Sequence, residues 1–154
     1  MNKKNLQRQS FTVAALPENI GILQEFVCAQ AKKARMPDAT TMRLELLVEE
    51  LALNIMNYGY ESLPGKITLS CEVESSDPQQ KKFLMEIRDK GVPFNPLIKP
   101  DADTGLDVES REPGGLGIFL TKQIADELRY HHDGTSNILV VSIHFTTDSQ
   151  ARQK

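Results

Sequence analysis

The stretch from Leu44 to Tyr60, LELLVEELALNIMNYGY, constrains the fold more than any other, because it combines an apolar stripe with a carboxylate and an amide at helical spacing. At about 100° per residue, Leu44, Leu47, Val48, Leu51 and Ile55 fall on one side of an α-helix, and that side must be covered by something else. Glu50 and Asn54 border the stripe four residues apart, close enough for a carboxylate and an amide oxygen to converge on a cation, a water or a hydroxyl group. Glu49 is expected to point away, toward solvent. The plainer alternative is a polar flank of a surface helix, and two later stretches weigh against it.

Alternation of Phe11, Val13 and Ala15 predicts a strand over 8–16. Pro17 opens a helix to about Met36, with Ile20, Leu23, Val27 and Ala31 in register, basic residues near its end, and Pro37 closing it. Asp38, Thr40 or Thr41 is expected to cap the next helix, which runs to about Asn57 and ends in Gly59. Ile67, Leu69, Cys71 and Val73, then Phe83, Met85 and Ile87, alternate in two strands joined by the polar turn Ser-Ser-Asp-Pro-Gln-Gln. Residues 95–113 hold Pro96, Pro100, Gly105 and Pro113 among many acids with no periodicity, which predicts a long lid-like loop. A helix follows at GGLGIFLTKQIADEL, with Leu116, Leu120, Ile124 and Leu128 in register, then strands at LRYHH and NILVVSIHF.

The order β, α, α, β, β, lid, α, β, β predicts an α+β fold, a two-layer sandwich of a mostly antiparallel, mixed sheet with helices on one face. With 154 residues the chain is expected to be a single domain, ordered over about 8–146. Repeating βαβ alternation and the G-x-x-x-x-G-K-[ST] loop are both missing, against a parallel dinucleotide fold or a P-loop. A net charge of −3 without a clustered basic patch argues against nucleic acid and anionic membranes. Because no apolar run approaches about 18 residues and the N-terminus lacks a signal-type core, a cytoplasmic location is expected. Cys28 and Cys71 stand apart in neither metal nor redox spacing and are expected to be buried thiols. His131 and His132, adjacent in a strand, face opposite sides and cannot readily share a metal.

Two glycine-bearing stretches carry the chemistry. In IRDKGVPFNP a strand ends in Asp89 and turns through Gly91; an ordinary β-turn explains that, but so does a buried acceptor facing an amino group such as that of adenine, with Gly91 permitting close approach. In PGGLGIFLTKQIADE, Gly114, Gly115 and Gly117 stand where a loop enters a helix; a flexible entry to a packed helix explains that, but so does a phosphate cradle, since the helix start offers free N–H groups and a positive dipole end.

In this order, E-x-x-x-N on a helix, D-x-G-x-P-F after a strand, a long lid and GGLG opening a helix resemble the GHKL superfamily of histidine-kinase-like ATP-binding domains, over about 8–146. Within that superfamily EELALNIMNYGY, DKGVPF and GGLGIFLTKQIADELRY look like the bacterial anti-sigma factor serine/threonine kinases. The resemblance implies a Bergerat-type fold, ATP and Mg²⁺, and Glu50 as general base, Asn54 as magnesium ligand, Asp89 as adenine-recognising acid, and Gly91, Gly115 and Gly117 as nucleotide-contacting glycines. It also implies an anti-anti-sigma (STAS-type) protein substrate, a sigma factor or other regulator as a further partner, and a homodimer. The chain departs from the pattern at Tyr58, where many members have histidine, and at the family's last-strand threonine, which the sequence does not place and for which Val140 is a candidate. Three functions fit: a protein kinase in a partner switch, a nucleotide-gated module that sequesters a regulator, and an ATPase without a protein acceptor. No autophosphorylated histidine is expected.

Overall fold

The computed structural model describes residues 6–59, 65–95 and 123–147. Among them five strands form one sheet: β1 (Leu6–Ala14), β2 (Lys66–Ser75), β3 (Gln80–Asp89), β4 (Glu127–His132) and β5 (Asn137–Thr146), in the order β1-β2-β3-β5-β4. Every pairing among these strands is antiparallel, so the parallel component of the expected mixed sheet has no counterpart in the described pairings. Because β5 lies between β3 and β4, the chain must cross over from β3 to reach the far edge before returning. The predicted lid, except Asn95, and the predicted third helix up to residue 122 lie outside the described residues.

Two helices, α1 (Ile20–Lys33) and α2 (Asp38–Asn54), supply the second layer. Leu23, Val27 and Ala31 of α1 and Leu44, Leu47, Val48 and Leu51 of α2 are buried, which is the face their spacing predicts. They meet Ile67, Leu69, Cys71 and Val73 of β2 and Phe83, Met85 and Ile87 of β3, the alternate residues of paired strands. Full burial of one such side chain is worth about 1.5 to 3 kcal/mol. Phe11 of β1 stacks on Phe26 of α1 with ring centroids 5.4 Å apart, tying the edge strand to the helix layer. The opposite sheet face is polar: Ser10 meets Ser70, Thr12 meets Thr68, and Glu86 bridges Arg8 and Arg88.

Several local details differ from expectation. A 3₁₀ turn, Pro17–Asn19, precedes α1, so the α-helix proper starts at Ile20. Its end is fixed before Pro37: Arg35 adopts φ +62°, its N–H donates to the Lys32 carbonyl, and Met36 N–H donates to Ala31. This is a Schellman closure with arginine at the left-handed position that glycine usually takes, and buried Met36 makes the apolar contact. The N-cap of α2 is Pro37 rather than Asp38, Thr40 or Thr41, and no side chain caps it; Thr41 Oγ1 instead donates back to the Pro37 carbonyl at 3.1 Å. After Asn54 the helix loosens into a π-turn, Ile55–Gly59.

At the other end of the chain, among the described residues only Gln123 and Ile124 of the predicted third helix are helical, and Leu128 belongs to β4, paired with Val141. Strand pairing at the sheet edge overrides the helical register there. Cys71 is buried as expected, whereas Cys28 is half-buried and its thiol donates to Glu45 Oε1 at 2.8 Å. Loss of hydration pushes both thiols up to about 12, for Cys28 with help from the Glu45 carboxylate. His131 and His132 are exposed on the edge strand. Among the described residues no helix is long and apolar enough to cross a membrane.

Candidate functional site

Strand parity places a carboxylate in the core layer. Phe83, Met85 and Ile87 face the helices, and Asp89 continues that series as the last residue of β3, buried where a hydrophobic side chain would ordinarily stand. Asn137, the first residue of β5, is its cross-strand partner and continues the inward series of Leu139, Val141 and Ile143. Two polar residues therefore meet at one end of an otherwise apolar sheet face. The last turn of α2 passes over this end and brings Asn54 with it.

Between them lies a pocket open to solvent, with about 450 Å³ of empty space counting its mouth. Leu51, Ile55, Ile87, Val92, Phe94 and Leu139 form its apolar walls, and Asn54, Asp89, Tyr130 and Asn137 supply its polar groups. A flat aromatic ring suits such walls, with polar atoms at the edge to fix its orientation.

Asp89 is held firmly. Its Oδ1 accepts from Gly91 N–H at 2.9 Å and from Asn137 Nδ2 at 3.0 Å. Burial raises the carboxyl above its ordinary value, while the bonds from Asn137 and Gly91 and the nearby His132 pull it back. Gly91 thus acts on Asp89 through its backbone N–H. Tyr130, whose hydroxyl donates to Asn137 Oδ1, is likewise raised, chiefly by burial.

Asn54 is buried and its Nδ2 has no hydrogen-bond partner among the described residues. An unpaired buried amide costs about 1 to 3 kcal/mol, so its position in a cavity wall calls for a ligand atom there. A half-turn about the Cβ–Cγ bond exchanges Nδ2 for Oδ1, which lets the same place offer a hard oxygen to a cation. Glu50, one turn earlier, is half-buried and is not among the residues lining the cavity. Glu49 is also half-buried rather than pointing freely to solvent.

The structure thus brings Asn54 and Asp89 to one cavity, joins Gly91 to Asp89, and leaves Glu50 beside it. Gly115 and Gly117 lie outside the described residues, as does the predicted lid except for Asn95. Val140 pairs with Glu86 and Arg129, on the sheet face away from the cavity, so it does not take the place assigned to it. Asn137 and Tyr130 were not singled out from sequence. The available clue was an asparagine in phase with the inward residues of an apolar strand.

A sheet with two helices on one face and an acid-and-amide pocket beneath the second helix defines an ATPase domain of the histidine kinase-like type. The family model described as histidine kinase-like ATPase domain matches residues 13–143, and the chain belongs to that family. Among solved structures it resembles the RsbU and RsbW domains of Rv1364c from Mycobacterium tuberculosis, with a TM-score of 0.65 over 93% of this chain at 10% identity. The match covers 34% of that chain, so this protein spans about a third of its length, and at such identity the likeness concerns the fold. No curated protein matches the sequence.

Proposed function

We propose that this protein is an ATP-dependent serine/threonine kinase of the anti-sigma type, which phosphorylates an anti-anti-sigma (STAS-type) partner in a partner-switching circuit. The observation that carries the proposal is the convergence on one largely apolar cavity of buried Asp89 and buried Asn54, whose Nδ2 has no hydrogen-bond partner among the described residues. With Oδ1 held by Gly91 and Asn137, Asp89 offers its second oxygen to the exocyclic amine of adenine. The base then lies against Ile55 and Leu139, and its phosphates extend past Asn54.

The donor set fits Mg²⁺: the polar groups of the cavity, on Asn54, Asp89, Tyr130 and Asn137, carry oxygens, no thiolate or imidazole lines it among the described residues, and Asn54 would hold the ion through its carboxamide oxygen. When bound, the ion supplies charge neutralisation along the triphosphate. Gly115 and Gly117 are proposed to offer backbone N–H groups to phosphate oxygens at their helix start. Glu50 accepts the proton of the partner's hydroxyl as that oxygen bonds to the γ-phosphorus and the bond to the β-phosphate oxygen breaks, releasing ADP. Glu50 lies one helical turn before Asn54 and outside the cavity lining. That same place also favours a second reading, a nucleotide-gated module that binds a regulator such as a sigma factor without transferring phosphate. A homodimer in a cytoplasmic setting is part of the proposal.

The test is label transfer from γ-labelled ATP with the STAS-type proteins encoded beside this chain. Stable label on a partner serine or threonine, lost with Glu50→Gln, supports the kinase; ATP-dependent partner binding without transfer selects the gated module; and no ATP binding overturns both.

A further inference from the structure

One side chain fastens the loop after β3 to β5. Asn137 Nδ2 donates to Asp89 Oδ1 and to the Val92 carbonyl, both at 3.0 Å, with Gly91 O at 3.4 Å. Its Oδ1 accepts from Phe94 N–H at 3.0 Å and from the Tyr130 hydroxyl. Turning the amide over would set donor against donor and acceptor against acceptor on both sides, so its orientation is fixed by its neighbours.

The consequence falls on Asp89. A carboxylate oxygen has room for about two in-plane hydrogen bonds, and Oδ1 already takes two, from Gly91 and Asn137. Among the described residues, that leaves Oδ2 for a ligand. Adenine offers the carboxylate one N–H from its amino group. Guanine offers two parallel N–H groups, from N1 and its 2-amino group, which are best met by both oxygens of a carboxylate. We propose that Asn137 is a positioning residue that turns Asp89 into a one-oxygen acceptor and thereby selects adenine over guanine nucleotides, an inference that rests on the nucleotide-binding reading above. Tyr130 acts one step further back, by holding the Asn137 amide.

The experiment measures Kd for Mg-ATP and Mg-GTP by calorimetry on the full chain, unsubstituted and as Asn137→Ala and Tyr130→Phe. Removing Asn137 frees a lone pair on Oδ1, so the ratio of the GTP to the ATP Kd should fall about tenfold in Asn137→Ala. Tyr130→Phe should lower it about threefold, because Phe94 still donates to the amide. A simple fastener would behave differently: loosening the loop weakens both nucleotides alike and leaves the ratio unchanged. That result in Asn137→Ala overturns the inference while leaving the nucleotide-binding reading intact. Should Asn137→Ala fail to fold, Tyr130→Phe decides alone, and an unchanged ratio there overturns it. An unsubstituted protein that binds neither nucleotide overturns the underlying reading as well.

Discussion

Replacing Asp89 by asparagine should separate binding from stability. Asn can keep one oxygen where Oδ1 accepts from Gly91 and Asn137, and this puts its NH₂ where Oδ2 faces the cavity. Against the amino group of adenine a donor then meets a donor. Leaving a buried polar group unpaired costs about 1 to 3 kcal/mol, so Kd for ATP should rise about 5- to 150-fold. Stability should move the other way. Burial raises the Asp89 carboxyl above 3.8, so the folded protein holds this proton more tightly than the unfolded chain does. Its contribution to stability is therefore complete below the unfolded value and is lost as pH rises through the folded one. At neutral pH the ionised group is a net cost, and Asp89→Asn removes it. Calorimetry at pH 7.5 should show weakened ATP binding, and thermal unfolding should show an unchanged or higher Tm. On acidification, ATP affinity of the unsubstituted protein should begin to fall above the usual carboxylate range, whereas Asp89→Asn should show no such step. Equal ATP affinity in the two proteins would refute the adenine assignment; a lowered Tm would refute the claim that burial of the charge is a cost.

The acid and the amide on α2 should separate by assay. Asn54→Ala should lose most of the difference in ATP affinity between magnesium and chelator, while Glu50→Gln should bind ATP nearly normally and transfer phosphate about 10² to 10⁴-fold more slowly. Undiminished transfer by Glu50→Gln would remove that residue from the mechanism. Arg35 is exposed with φ +62°, so Arg35→Gly should stabilise the protein by about 0.5 to 1 kcal/mol, the left-handed strain relieved less the added chain entropy. Urea unfolding measures this, and a destabilised variant would show that the arginine side chain contributes more than its backbone costs.

Much of the layer architecture can be read from local periodicity. Strands over 66–75, 80–89 and 137–146 and the buried stripes of α1 and α2 follow from spacings of two and of three to four residues, since alternate strand residues and successive helix turns share a face wherever the chain goes. Asp89 was legible as a strand-ending acid before a glycine turn, and helical spacing set Glu50 four residues before Asn54. Helix ends were less legible. Pro37 stops α1 in sequence terms, but the stop is made by Arg35, because a left-handed residue at a Schellman closure is defined by hydrogen bonds to Ala31 and Lys32 that no composition announces.

What only the tertiary structure decided is which strand lies beside β3. The sequence determines that Asp89 ends one strand and Asn137 begins another, yet 48 residues separate them and no local rule sets their register. Insertion of β5 between β3 and β4 pairs them and sets Tyr130 against the amide. The physical reason is that hydrophobic periodicity specifies which face of an element is buried, whereas the partner across that face is chosen by the collective closing of sheet and helix layers, where a polar pair is tolerated only if each group satisfies the other.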